Sequence, residues 1–259
     1  MISTRKKILS IKLFADTDIG KEREINEDSV ASLIINSQSS NNTIHCGILV
    51  VADGMGGHEM GEMASDLASK TFIEEVMQHV IHINKSDEKL NFSDILKKSV
   101  SAANKIVWNL SNINSKHLGT TLVGAIIFNN HVYIANVGDS RAYLVNPKKS
   151  IFQITKDHSA VQDMVDAKII TKDQARNHPR RNIITKALGL SNEVLPDIYE
   201  TDFNGEILML CSDGLYSMVD EKEIISTVNE NFNSCCDKLI SLANKHGGQD
   251  NISIALASC

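Results

Sequence analysis

Aspartates recur at the borders of apolar segments in this sequence. Asp53 follows the apolar run 48–52, Asp139 follows 132–138, and Asp213 follows 207–211. Asp250 comes just before 252–257, and Asp28 just before 29–35. Carboxylates gathered within a few ångströms repel one another, and some stay protonated unless a cation joins them. A set of oxygen ligands favours a hard ion, Mg2+ or Mn2+, over zinc. Two such ions about 3.5–4 Å apart can share a hydroxide and clamp a phosphoryl group for in-line attack. A lone Asp-Gly after a strand reads only as a turn. Two of the aspartates have a stronger context. Asp53 leads into Gly54, Met55, Gly56 and Gly57, and Asp213 sits in Ser212-Asp213-Gly214. Glycine at such places lets backbone carbonyls approach an ion.

Strands have to position these acids. The continuous apolar runs 46–52 and 207–211 predict strands buried on both faces. Segments 120–128 and 132–138 flank Asn129-Asn130, a hairpin turn, and 141–145 and 252–257 are further strands. Residues 37–42 read as a short polar turn. Helical spacing runs from His58 to about Val80 through Met60, Ala64, Leu67, Phe72, Val76 and Val80. A second helix starts at Ser93 and buries Leu96, Val100, Ala103, Val107 and Leu110. Asp220 with Glu223 forms a capping box ahead of Ile224 and Val228. Ser234 starts the last helix and Gly247-Gly248 stops it. Residues 155–185 are charged, with sparse apolar positions, and read as an excursion with one or two short helices. Segregated helices and hairpins predict an α+β fold with mainly antiparallel sheet. In antiparallel pairs the end of one strand lies beside the start of the next, so the acids converge if these strands are neighbours.

Composition narrows the classes. The chain has 259 residues, 42% hydrophobic and 22% charged, which is ordinary for a globular protein able to bury its own core. Its formal net charge of −6 argues against nucleic acid as partner. The 5 cysteines (Cys46, Cys211, Cys235, Cys236, Cys259) follow no disulfide spacing and contain no C-x-x-C pair, which fits a reducing cytoplasm. Lys12 interrupts the apolar part of the N-terminal segment, a poor signal peptide, and no apolar run reaches the ~18–20 residues of a membrane span.

A wider set of motifs carries a resemblance. It comprises 23–28 (REINED), 51–57 (VADGMGG), 61–65 (GEMAS), 119–121 (GTT), 136–141 (NVGDSR), 157–159 (DHS), 178–189, 212–215 (SDGL) and 250–253 (DNIS). In this order, spanning about residue 10 to 257, the chain resembles the metal-dependent protein phosphatases of the PPM group (type 2C serine/threonine phosphatases), especially their bacterial branch. The resemblance implies a four-layer α-β-β-α sandwich of two antiparallel sheets flanked by helix pairs. It implies one catalytic domain over 1–259, with a flap at about 157–185. Asp53 would bridge two Mn2+ or Mg2+ ions, the Gly54 carbonyl would bind one of them, and Asp213 and Asp250 would complete the first. Glu27 and Asp28 would hold metal-bound waters or bind more directly, and Asp139, with Asp213, would serve a third ion. Arg23 would grip the substrate phosphate, as paired guanidinium bonds allow; alone, Arg23 reads as a surface ion pair with Glu27. The implied reaction is direct attack of a metal-bridging hydroxide on phosphoserine or phosphothreonine in proteins modified by a serine/threonine kinase. No phosphoenzyme is involved.

The sequence departs from the family pattern in places. Met55 stands where some relatives carry a histidine proposed as general acid, so no protein acid is assigned. Lys168 stands in the flap where many bacterial relatives have glycine, which bears on that turn. Arg180 and Arg181 are candidates for acidic phosphopeptides or for plain solvation. His58-Glu59-Met60-Gly61-Glu62 lacks the second histidine of a zinc helix, Glu59 spoils a dinucleotide loop from Gly54 to Gly61, and there is no P-loop. Competing functions are a non-catalytic pseudophosphatase that binds phosphoproteins and a two-metal hydrolase of small phosphate esters. The intact acids argue against the first.

Overall fold

Alternation along the central strands explains why their sequences are apolar throughout. Ile48 and Val50 face one hydrophobic cluster, while Leu49 and Val51 face another. The computed structural model describes residues 10–38, 43–56, 59–82, 91–114, 118–146 and 150–259. Gly57, His58, the 39–42 part of the polar turn and the segment 1–9 lie outside the described residues.

In chain order the elements begin with β1 (Lys12–Asp18), β2 (Asp28–Gln38), β3 (Thr43–Met55), α1 (Glu59–Ile81) and α2 (Phe92–Asn114). Next come β4 (Gly119–Thr120), β5 (Leu122–Phe128), β6 (His131–Val137), β7 (Arg141–Asn146) and β8 (Ser150–Gln153). The excursion holds α3 (Ala160–Asp166) and α4 (Lys172–Arg176) and returns into β9 (Asp197–Asp202). The chain ends with β10 (Ile207–Cys211), α5 (Asp213–Tyr216), α6 (Glu221–Glu230), α7 (Cys235–Lys245) and β11 (Ile252–Ser258).

Two antiparallel sheets result. One has the order β1-β11-β10-β7-β8, the other β2-β3-β5-β6-β9, with β4 paired to β3. Leu49, Val51, Val123 and Ile134 of the second sheet meet Ala142, Leu208, Leu210 and Ala255 of the first in the cluster between them. α1 and α2 cover the outer face of the second sheet through Phe72, Val76, Leu96 and Val100. α6 and α7 cover the outer face of the first through Ile224, Val228, Leu239 and Ile240. The architecture is the expected four-layer α-β-β-α sandwich.

Local chemistry sets several boundaries. Asn129 and Asn130 have φ of 50° and 64°, and Phe128 pairs with His131 across them, so the β5–β6 hairpin closes through a two-residue turn with both central residues left-handed. Asp220 and Glu223 form the capping box on α6. α2 starts one residue before the predicted Ser93, because the Asn91 side chain accepts from the Asp94 N–H at 3.3 Å and caps the turn. Ser234 precedes α7 without capping it; a 3-10 turn over Phe232–Ser234, held by Asn231, leads in. Lys168 has φ of 57°, and the Ile169 N–H reaches back to the Met164 carbonyl at 2.8 Å, closing α3 with a left-handed residue where glycine is the usual choice.

The chain changes sheet at few points, and these matter most. Residues 19–27 cross from β1 to β2, residues 138–140 cross from β6 to β7, the excursion crosses from β8 to β9, and residues 203–206 cross from β9 to β10. The first two crossings carry Arg23, Glu27 and Asp139.

Candidate metal and phosphate site

Asp53 is fixed through its backbone at the end of β3. Its N–H donates to Thr121 Oγ1 at 3.0 Å, and its carbonyl accepts from Thr120 Oγ1 at 2.9 Å and from the Thr121 N–H at 2.8 Å. Thr121 Oγ1 also bonds Ser140 Oγ at 2.6 Å, which ties Asp53 to the crossing that carries Asp139. Gly54 donates its N–H to the Glu27 carbonyl at 3.0 Å. A Cβ at Gly54 would lie 2.2 Å from the Gly61 carbonyl oxygen and 2.5 Å from that of Glu27, so only glycine fits this close meeting of backbones.

Asp28 opens β2 directly opposite Asp53 in the β2–β3 register. Like charges facing each other this way are unfavourable without compensation. Ser212 from the other sheet helps: its Oγ donates to Asp28 Oδ2 at 2.7 Å and accepts the Ser253 N–H at 3.0 Å. Asp213 begins α5, and its Oδ1 is buried with no hydrogen-bond partner among the described residues. Asp250 accepts from the Asn251 N–H on Oδ1 at 2.9 Å and from Arg23 Nη2 on Oδ2 at 2.7 Å. Arg23 therefore pairs with Asp250 and not with Glu27, the partner its sequence spacing offers. Asn251 pins the first crossing: its side chain accepts from the Glu27 N–H at 2.8 Å and donates to the carbonyls of Ile19 (2.9 Å) and Ile25 (3.0 Å).

Asp139 is buried at the second crossing. Tyr216 donates its hydroxyl to the Asp139 carbonyl at 3.2 Å, and the Arg141 guanidinium stacks on the Tyr216 ring at 3.6 Å. Arg141 in turn grips Asp157 through Nε at 2.9 Å and Nη2 at 2.7 Å.

The electrostatics bind the acids into one group. Burial pushes Asp53 well above the ordinary carboxylate range, and the charges of Asp28, Asp213, Asp139 and Asp250 push the same way. Burial raises Asp28 to about 7, opposed by the Ser212 and Ser253 bonds and reinforced by Asp213. Burial and the Asp213 charge raise Asp139 to about 7; burial and the Asp250 charge raise Asp213 to about 6. Asp53, Asp213 and Asp250 keep a partial opening to solvent. Among the described residues no three His, Cys, Asp or Glu side chains converge as a ready ligand set for one ion. The acids repel across a shared space lined by oxygen donors, and Asp213 Oδ1 is buried without a hydrogen-bond partner among the described residues. Such a donor set suits a hard divalent cation whose remaining positions are filled by carbonyls and water.

All eight sequence-predicted residues, Arg23, Glu27, Asp28, Asp53, Gly54, Asp139, Asp213 and Asp250, lie at this rim or on the crossings that meet it. Arg180 and Arg181 are exposed, and Glu62 points to solvent on α1. The supports Ser212, Asn251, Arg141 and Asp157 were not singled out as site residues. Each lies inside a motif (SDGL, DNIS, NVGDSR, DHS), which was the available signal.

Comparison with known proteins bears on the family of the chain. The family described as Protein phosphatase 2C matches residues 16–164. The serine/threonine phosphatase Stp of Listeria welshimeri is 36% identical over 245 residues, covering 93% of this chain and 92% of its own. The crystal structure of the serine/threonine phosphatase Stp1 from Staphylococcus aureus superposes with a TM-score of 0.80 at 34% identity, covering 97% of this chain and 95% of that one. The catalytic domain of the phosphatase PstP in complex with 2 manganese ions does so with a TM-score of 0.75 at 30% identity, covering 96% and 97%. The chain thus belongs to the protein phosphatase 2C family, the metal-dependent serine/threonine protein phosphatases.

Proposed function

We propose that the acid rim is the catalytic centre of this protein serine/threonine phosphatase. In this reading Asp53, the Gly54 carbonyl, Asp213 and Asp250 hold a pair of Mn2+ or Mg2+ ions, with Glu27 and Asp28 acting through water and Asp139, with Asp213, serving a third position. When bound, such ions supply Lewis acidity and make water nucleophilic at neutral pH. The observation that carries the reading is Asp213 Oδ1, buried without a partner among the described residues beside carboxylates that repel one another.

The protein's own groups do the rest. Arg23, 48% exposed and oriented by Asp250, offers planar paired donors to the substrate phosphate. Thr120, Thr121 and Ser212 hold Asp53 and Asp28 in place, so orientation precedes substrate arrival. Met55 offers no proton, which leaves water to protonate the departing serine or threonine oxygen. The substrates are phosphoproteins made by a serine/threonine kinase. The setting is the cytoplasm, supported by five free cysteines; among the described residues no helix is long and apolar enough to cross a membrane.

A metal-titrated assay over a phosphopeptide panel, with p-nitrophenyl phosphate alongside and Asp53→Asn as control, tests this. Manganese- or magnesium-dependent turnover of phosphopeptides, lost in the control, is expected. Turnover of small esters alone would overturn the protein substrate, and full turnover by Asp53→Asn would overturn the site.

A further inference from the structure

Asp157, His158 and Ser159 stand out in the sequence, yet none is among the proposed metal ligands. His158 nonetheless holds a singular place. Its backbone N–H donates to the Gly138 carbonyl at 2.9 Å, while its ring Nδ1 accepts from the Gly138 N–H at 3.0 Å. One residue therefore grips both polar backbone atoms of the glycine that precedes Asp139. Gly138 has φ of 110°, and a Cβ there would lie 2.6 Å from Thr121 Cβ, so this turn has no slack to take up a change.

The ring's protonation pattern follows from its contacts. Nδ1 is an acceptor, so the proton sits on Nε2, which faces Asp197 Oδ2 at 3.2 Å. Lys186 Nζ lies 3.2 Å from the other Asp197 oxygen. Burial, with Lys186 acting the same way, lowers the ring's pKa against the opposing charge of Asp197. The neutral ring thereby keeps its acceptor toward Gly138.

His158 also stands at the base of the excursion. Its carbonyl accepts from the Thr185 N–H at 2.8 Å, Ser159 bridges Ile184, and the Ala160 N–H donates to the Ile183 carbonyl at 2.9 Å. The outgoing and returning legs of the excursion are laced together at this residue.

We propose that His158 is a positioning residue for Asp139: its backbone N–H fixes the peptide that leads into that acid, and its ring fixes the Val137–Gly138 peptide just before it. Tyr216 holds the following carbonyl, so Asp139 is suspended between two fixed peptide groups. The proposal rests on the reading of Asp139 as a metal ligand. Groups that orient a ligand without touching the ion typically change metal affinity by about 10–100-fold when removed.

The test uses the full chain and Mn2+ alone, with bound ions counted by electron paramagnetic resonance and Gly138 followed by amide hydrogen exchange. Asp139→Asn is expected to lose the most weakly held ion. His158→Ala is expected to weaken that ion about tenfold and to speed exchange at Gly138, with a cooperative melting transition retained. In His158→Asn, Oδ1 takes the place of Nδ1 as acceptor and should restore most of the affinity. In His158→Gln the amide reaches past Gly138 toward Asp197 and should not restore it. If His158→Ala does not fold, the Asn and Gln pair decides, and equal affinity in the two overturns the proposal. Unchanged affinity in His158→Ala, with the ion lost in Asp139→Asn, overturns the role of His158 alone. A full set of ions in Asp139→Asn overturns the reading of Asp139, and the proposal with it.

Discussion

Arg23 and Asp250 are joined by a 2.7 Å ion pair across 227 positions of sequence. The residue proposed to hold phosphate thus neutralises a residue proposed to hold metal. Arg23 lies on the first crossing between the sheets, and Asp250 lies just before β11 in the neighbouring sheet. Their contact would make the proposed phosphate and metal subsites electrostatically dependent on each other.

Replacing Arg23 separates the two. Arg23→Ala is expected to raise KM for a phosphopeptide about tenfold, in keeping with the loss of a charge-assisted pair of hydrogen bonds. Mn2+ affinity should hold or tighten, because a competing cation leaves Asp250. Arg23→Lys should recover the KM only partly, since a point charge does not reproduce the planar fork. Steady-state kinetics with calorimetric Mn2+ titration checks both; a large fall in Mn2+ affinity in Arg23→Ala would reverse the argument.

Asp213→Asn should keep the fold and lose activity by about 100-fold or more, since a metal's charge stabilisation is worth several kcal/mol and each 1.36 kcal/mol is tenfold. The metal-free variant should melt at or above the parent, because a repelling charge has gone. Full activity at saturating Mn2+ would exclude Asp213 from the site.

Stability against pH follows from the raised acids. Asp28, Asp139 and Asp213 titrate at about 7, 7 and 6 in the folded protein, above the unfolded carboxylate value of about 3.9. The native state therefore binds more protons than the unfolded chain between these limits, and stability falls as pH rises through them. The metal-free protein is expected to melt lower at pH 8 than at pH 5, by on the order of 5–10 °C for a few kcal/mol. Saturating Mn2+ should raise the pH 8 value, as binding to the native state alone does. A metal-free melting temperature that climbs from pH 5 to 8 would contradict the crowding of these carboxylates.

Lys168 occupies a left-handed turn at φ of 57°. Lys168→Gly relieves a strain of about 1–2 kcal/mol, partly offset by the greater freedom of glycine in the unfolded chain. A gain of about 0.5–1 kcal/mol in urea unfolding is expected, with Lys168→Ala near neutral because alanine keeps the penalty. Equal gains in both would place the effect outside the backbone.

Much of this was legible in the residues. The run from Ile48 to Ala52 announced a strand covered on both faces, and Asp220-to-Glu223 announced its helix. β1, β8 and β9 were not foreseen. β1 and β8 run at the edges of one sheet and β9 at an edge of the other, so their half-exposed, mixed sequences carry weaker patterns. The five aspartates of the site were legible because each abuts an apolar segment, whereas Glu27 and Arg23 followed only from the family resemblance. Their supports were not, because Ser212 reaches Asp28 across 184 positions and Asn251 reaches Glu27 across 224, and periodicity carries no signal over such distances.

The rim is assembled from both sheets, with Asp28 and Asp53 on one and Asp213 and Asp250 on the other. In the proposed site each sheet supplies only part of the donors. Loosening the contact between Leu49 or Val51 and Leu208 or Leu210 should therefore part the two pairs of acids of the proposed site before it unfolds a helix. Divalent ions should accordingly act as a rivet across the seam, and turnover should fade at lower temperature or denaturant than helical circular dichroism.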